Sequence, residues 1–322
     1  MAVYTAIADE DLSAVVAGYD IGDVVACTGI AQGIENSNFR LYTTAGHFIL
    51  TLYEKRVRSE DLPFYLDLMN HLAGNGFPCP TPVADRAGVV LQNLSDRPAA
   101  IVTVLDGAGL QETDISPMHC HDVGAAAARL HLAGSDFSTQ RINDLSVDAW
   151  RPLFLPLAAR ADTFRAGLAR WIEEELDFLE QNWPSDLPGG TVHTDMFPDN
   201  VFFRNDALSG VIDFYFACTD MLALDLAVCL NAWCFDPDGQ FMPANAHALI
   251  DGYQAVRPLE TVEQQALPIL ARGMAIRFLL TRLHDWFHTP SDALGARKNP
   301  LDLVPLVEFH RSVSDSTSYG VR

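Results

Sequence analysis

His193–Asp213, HTDMFPDNVFFRNDALSGVID, carries Asp195, then Asn200 five positions on, then Asp213 closing the apolar pair Val211-Ile212. Val201-Phe202-Phe203 and Val211-Ile212 read as strands. The stretch Asn205-Asp206-Ala207-Leu208-Ser209-Gly210 between them is rich in turn formers, which predicts a hairpin. With the turn centred near Ala207, antiparallel pairing sets residue 201 opposite residue 213 and brings Asn200 beside Asp213. Oxygen ligands from both strands then converge on one spot, and Asp195 lies on the loop that leads in. His193 stands where a scaffold residue would support that loop, and Pro198-Asp199 turn the chain into the first strand. Transfer of a γ-phosphoryl group needs a carboxylate to orient and deprotonate a hydroxyl, and oxygen donors for a cation that bridges the phosphates. Asp195 suits the first task, Asn200 and Asp213 the second. Any one of these acids could be an ordinary turn residue of a surface hairpin, but His-x-Asp-x4-Asn followed by Asp on the next strand is much rarer than its parts.

Outward from this segment, the chain changes character near residue 106. Residues 10 to 18 predict a short helix, and Cys27 to Tyr53 a strand meander with Gly-containing turns. Apolar positions 62, 65, 66, 69, 72 and 73 follow helical spacing, with Ser59 as a plausible cap and Gly74-Asn75-Gly76 as a stop. Gly88 to Gln92 and Ala99 to Leu105 read as further strands, and Asp106-Gly107 as a hinge. Beyond it come a helix ending near His131, a long helical region from 151 to 182, and helices over 221–235, 243–256 and 261–288. Strands first and helices after predict an α+β, bilobal chain: residues 1–105 a small β-rich N-lobe, 106–322 a larger, mostly helical C-lobe.

Composition excludes several partners. With 322 residues, 49% of them hydrophobic, the chain can bury a large core. A net charge of −21, with scattered basic residues, repels nucleic-acid phosphates and anionic membranes. The six cysteines form no Cys-x-x-Cys pair, which fits free thiols in a reducing compartment. An acidic N-terminus and the lack of a membrane-length apolar run predict a cytoplasmic protein.

The His193–Asp213 segment resembles the catalytic loop and metal-binding Asp of the aminoglycoside phosphotransferase and choline kinase group, small-molecule kinases related to protein kinases. Within that group HTDMFPDNVFF is most similar to the type II branch whose acceptor is L-homoserine. GIENSNFRLYTTAGHFILTLYEKR, LMNHLAGNGFPCPTPV and MAIRFLLTRLHDW are similar to that branch too, in order along most of the chain. The resemblance implies a protein-kinase-like fold, ATP and Mg2+ as nucleotide and metal, and phosphorylation of L-homoserine to O-phospho-L-homoserine, a step towards threonine. It also makes Asp225 a structural acid bracing the catalytic loop. Choline, an aminoglycoside or a sugar as acceptor, or a nucleotide-binding pseudokinase, are the alternatives.

That frame gives the remaining candidates their roles. Backbone N–H groups of the Gly29-Ile30-Ala31-Gln32-Gly33 loop would lie over the phosphates, with Asn36 and Ser37 closing it, although a plain hairpin turn is the rival reading. Adenine would meet the Val102 to Leu105 hinge around Val104. A kinase of this type has a Lys on the third strand, but here Thr51 stands there. Lys55 shares its parity about 13 Å further along at ~3.3 Å per residue, with Arg40 and Arg56 as alternatives and Glu60 as a pairing acid. Arg277, Thr281, His284 and His288 form one polar stripe on an apolar helix. A bidentate Arg suits the homoserine carboxylate, which nominates Arg277 with Arg282 behind it, while Asp199, Glu35 and Asp220 are open for the ammonium. His284-Asp-Trp-Phe-His288 has the wrong acid for a zinc hydrolase, and only His310 could be a third ligand.

Overall fold

The computed structural model describes residues 5, 7–30, 36–54, 58–288 and 297–321, which divide after Asp106 into two compact units. The first contains α1 (Asp9–Val16), β1 (Val24–Gly29), β2 (Ser37–Thr43), β3 (Gly46–Leu52), α2 (Leu62–Gly74), β4 (Leu91–Leu94) and β5 (Arg97–Thr103). Its strands form one antiparallel sheet in the order β1-β2-β3-β5-β4. Register explains its core: Phe39 lies opposite Leu50, Leu50 opposite Ile101, and Leu52 opposite Ala99. Alternate side chains of three strands therefore share one face, covered by Leu12 and Val16 of α1 with Tyr19 and Ile21 after it. Each fully buried Leu contributes about 2 kcal/mol.

The meander and both helices form as expected, with local differences. Gly88 (φ +83°) does not start a strand; it belongs to a turn in which the Asp85 carboxylate accepts from the N–H groups of Ala87 and Val89. That delays β4 to Leu91, and Ser95 and Asp96, both at positive φ, then make a tight hairpin into β5. Val104 and Leu105 follow β5 instead of ending it. Ser59 opens a short 3-10 turn, Ser59–Asp61, and does not cap α2, which starts with Pro63 in its first turn.

The second unit contains α3 (Pro117–Ala133), α4 (Val147–Phe154), α5 (Ala158–Ala161), α6 (Leu168–Asn182), β6 (Gly189–Val192), β7 (Val201–Arg204), β8 (Ala207–Val211), β9 (Cys218–Met221), α7 (Ala223–Trp233), α8 (Pro243–Gln254), α9 (Thr261–His288) and α10 (Val304–Ser312). Ser116 and His119 form a capping box that starts α3. Its Gly124 meets α8 so closely that an added Cβ would stand 2.0 Å from the Leu249 carbonyl oxygen, and Gly252 of α8 is equally tight against the His121 carbonyl oxygen. The helical region expected over 151–182 forms as three separate helices, α4, α5 and α6. Pro156 has no N–H to offer the Pro152 carbonyl, which ends α4 at Phe154, and Gly167 (φ +78°) turns the chain into α6.

The β7–β8 hairpin forms, but its turn is Asn205-Asp206, both at positive φ, not a turn centred on Ala207. Val201 therefore pairs with Val211 instead of residue 213, and a bulge at Ser209 absorbs the odd residue. A second ribbon, β6–β9, pairs Val192 with Cys218. Between them these ribbons deliver both ends of the loop that carries Asp195.

Candidate active site

The loop from His193 to Asn200 is held from several sides, mostly through its main chain. The N–H groups of His193 and Thr194 donate to the Asp225 carboxylate at 2.9 and 2.6 Å, and Asp225 also accepts from His131 Nε2 at 2.9 Å. Asp225 is fully buried on α7. Burial alone would raise its pKa, but the hydrogen bonds from the His131 ring and the His193 main chain hold it below the usual carboxylate range. Thr194 is at φ +61°, a costly conformation for a β-branched residue, and is fixed there by its hydroxyl donating to the Phe216 carbonyl and by Arg277 Nη1 donating to its own carbonyl at 2.7 Å. Trp233 Nε1 donates to the Met196 carbonyl at 2.7 Å, and the Leu110 N–H to that of Pro198 at 3.0 Å. A Cβ on Gly109 would stand 2.5 Å from the same Pro198 oxygen, so glycine is needed there.

His193 is the internal strut. Its Nε2 donates to the Ile212 carbonyl at 3.0 Å while its Nδ1 accepts from the Asp195 N–H at 3.2 Å, so these partners assign a neutral ring. Burial pushes its pKa down, which agrees with that state. The ring also packs edge-on against Phe214 at 4.8 Å. One side chain thus ties the Asp195 loop to the residue before Asp213.

Asn200 completes the tie. Its Nδ2 donates both to the Asp195 carbonyl and to Asp195 Oδ2, each at 2.9 Å, and its own carbonyl accepts from the Ile212 N–H at 2.9 Å. Asp213 is the next residue, at φ +67°, opening the 3-10 turn Phe214–Phe216. Asn200 and Asp213 are therefore neighbours despite the shorter pairing. With Nδ2 occupied twice, the carboxamide oxygen of Asn200 has no hydrogen-bond donor among the described residues. A carboxamide oxygen and a carboxylate are hard donors of the kind magnesium prefers, so the pair would fit that ion.

Other expected site residues fall elsewhere. Arg277 is 2% exposed, lies between the Phe216 and Phe278 rings, and is committed to the Thr194 carbonyl. Burial lowers its pKa, opposed first by Asp195. Arg282, five residues on, lines a cavity of about 270 Å³ beside Phe197, and Arg277 does not. Asp199 faces Lys298 at 3.6 Å, and Asp220 accepts from Asn143 Nδ2 at 2.7 Å. In the first unit, Ser37 Oγ donates to Glu54 and Asn36 Oδ1 accepts from the Glu54 N–H, so both are built into the sheet's end. Thr51, where a Lys was expected, is buried and donates to Asn38 Oδ1 at 2.7 Å. Glu60 pairs with nearby Arg58 at the surface. Gly29 ends β1 and Val104 is partly exposed after β5, while Gly33, Glu35, Lys55 and Arg56 lie outside the described residues. His284 and His288 stack on each other, and His310 is buried between Tyr319 and Asn231, which removes the zinc arrangement. Trp233, Gly109 and Thr194 are supports that spacing along the chain does not reveal.

An antiparallel five-stranded unit and a helical unit give the chain the fold of the aminoglycoside phosphotransferases and choline kinases. The chain belongs to the phosphotransferase enzyme family, whose model matches residues 26–259. It is similar to the homoserine kinase of Rhodospirillum rubrum, with 56% identity over 321 residues covering 100% of this chain and 99% of that one. The homoserine kinase of Methylobacterium radiotolerans is 55% identical over 320 residues, covering 99% of each chain. Among solved structures, a spectinomycin phosphotransferase in complex with ADP and spectinomycin superposes with a TM-score of 0.68 at 14% identity, covering 98% of both chains. No helix among the described residues is long and apolar enough to cross a membrane.

Proposed function

We propose that the protein is an ATP-dependent homoserine kinase, forming O-phospho-L-homoserine and ADP as a step towards threonine. The observation that carries this reading is full-length similarity, at 56% identity, to homoserine kinases, in a chain that keeps Asp195, Asn200 and Asp213 on one braced loop system. Asp195 holds the acceptor hydroxyl and takes its proton as the oxygen attacks the γ-phosphorus; the bond to the β-phosphate oxygen breaks and ADP leaves. Asn200 and Asp213 would hold Mg2+, which when bound neutralises phosphate charge. Asn200 also fixes the Asp195 carboxylate, so the base is oriented before substrate arrives. In the first unit, the proposed nucleotide contacts are the backbone of the Gly29–Gly33 loop with Asn36 and Ser37, Val104 against adenine, and Lys55 on the phosphates. Six free cysteines and a net charge of −21 support a cytoplasmic enzyme acting on small molecules.

The test is coupled ADP release with Mg-ATP over L-homoserine, L-serine, choline, a sugar and an aminoglycoside. Turnover with L-homoserine far above the others is expected. Preference for another acceptor would replace the substrate, and ATP binding without turnover on any would overturn the catalytic reading.

A further inference from the structure

The cavity beside Phe197 has an uneven charge pattern. Its wall holds the carboxylates of Glu112, Asp236, Asp238 and Asp302, and Arg282 is its single Lys or Arg among the described residues. Phe197 follows Asp195 by two positions and its N–H donates to the Asp195 carbonyl at 2.8 Å, so the cavity abuts the catalytic loop. Its volume, about 270 Å³, is below the ~300–1,000 Å³ usual for drug-sized ligands and suits a four-carbon molecule better than a sugar antibiotic.

Arg282 is only loosely engaged. Its Nη1 stands 3.7 Å from Asp302 Oδ2 and 3.4 Å from the Asn299 carbonyl. Elsewhere in this unit, Arg257 grips Glu263 through two bonds of 3.0 Å and Arg272 meets Glu175 at 2.6 Å. Charge-assisted pairs close to about 2.7–2.9 Å when nothing else is needed of them. Burial lowers the Arg282 pKa, against the pull of Asp302, Glu112 and Asp199, so the guanidinium has given up water without a close anion in return. An α-amino acid carries its carboxylate and ammonium on one carbon. It must therefore meet a cation and an anion side by side, as Arg282 and Asp302 stand.

We infer that this cavity receives the amino-acid end of the acceptor, Arg282 taking the carboxylate in bidentate fashion and Asp302 the ammonium, with Glu112 adding negative potential. The assignment rests on the homoserine reading and makes Arg282, not Arg277, the residue that selects an amino acid over an amino alcohol. With that end fixed, the side-chain hydroxyl reaches past Phe197 towards Asp195.

The test uses acceptors that each lack one group. In the intact enzyme, 3-aminopropan-1-ol, without the carboxylate, should have kcat/KM about 10²-fold below L-homoserine, the usual scale for an unpaired buried charge, and 4-hydroxybutanoate, without the ammonium that meets the more exposed Asp302, should fall about 5-fold below it. Arg282→Met should bring the homoserine to aminopropanol ratio within a few-fold of one by losing homoserine activity alone, with ATP affinity unchanged. Asp302→Asn should bring the homoserine to hydroxybutanoate ratio close to one in the same way. Asp302 is 60% exposed in its side chain, so this second variant decides the matter even where Arg282→Met fails to fold. Ratios that survive both substitutions in an enzyme that phosphorylates homoserine overturn the inference alone. No homoserine phosphorylation by the unaltered enzyme, with turnover on another acceptor, overturns the functional reading and the inference together.

Discussion

Replacing Asp225 with Asn changes one oxygen into an NH2 group at a site that touches no substrate, and it should damage catalysis as well as stability. The carboxylate accepts three hydrogen bonds, from His193 N, Thr194 N and His131 Nε2, at 2.9, 2.6 and 2.9 Å, in full burial. The carboxamide keeps one accepting oxygen and turns a donor towards donors. Hydrogen bonds to a charged group are worth about 1.5–3 kcal/mol each, and breaking a buried charged network costs ~3–5 kcal/mol. A loss of about 3–5 kcal/mol is therefore expected in urea unfolding of Asp225→Asn. The same bonds keep Thr194 at φ +61°, a conformation that costs on the order of 1–3 kcal/mol and relaxes when its restraint is removed. Relaxation shifts Asp195, the next residue, and a misplacement of roughly 1 Å costs about 10²-fold in rate. Coupled ADP release, measured well below the unfolding midpoint and corrected for folded fraction, should therefore fall ~10²-fold in kcat. A folded Asp225→Asn enzyme that turns over within threefold of the unaltered enzyme would refute the claim that Asp225 positions the base, and leave it a stability residue only.

Further outcomes follow from the same geometry. Asp195→Asn should lower kcat by about 10²–10⁴-fold with little change in ATP affinity, and undiminished turnover would remove Asp195 as the base. Asp213→Asn should raise the Mg2+ concentration needed for half-maximal activity and weaken Mg-ATP binding by calorimetry; an unchanged Mg2+ dependence would exclude it as a ligand. His310, buried between Tyr319 and Asn231, has its pKa pushed down by burial to about 3. Because the unfolded chain binds that proton near the ordinary value of 6.5, its contribution is complete above pH 6.5 and declines as pH falls towards 3, at about 1.4 kcal/mol per pH unit at most. Chemical denaturation between pH 7 and 5 should show that slope, reduced in His310→Gln; equal slopes for both proteins would contradict it.

Much of this was readable beforehand because the decisive information is local. His193, Asp195, Asn200 and Asp213 lie within one hairpin and its approach, so short-range turn and strand chemistry suffices to group them. The register was harder: Asn205-Asp206 can take positive φ at both positions, and the bulge at Ser209 lets a two-residue turn coexist with an odd strand. Helix spans such as 261–288 were clear from long apolar periodicity, whereas the breaks at Pro156 and Gly167 were lost inside a region of good helix formers. Trp233 and Leu110 reach the loop from distant parts of the chain, and nothing in their spacing announces it. Arg277 lies on the polar stripe of its helix and Arg282 off it, and only packing shows that the first clamps the loop and the second opens onto the cavity.

The clamps on the His193–Asn200 loop end chiefly on main-chain atoms: the N–H groups of His193, Thr194 and Asp195, and the carbonyls of Thr194, Asp195, Met196 and Pro198. Such restraints do not read the side chains they pass. Phe197 packs edge-on against Phe278 at 4.7 Å, whereas Asp199 faces Lys298 at the surface and can be exchanged without moving Asp195. On the proposed function, the loop is a chassis that holds Asp195 in place whichever side chains line the way to it.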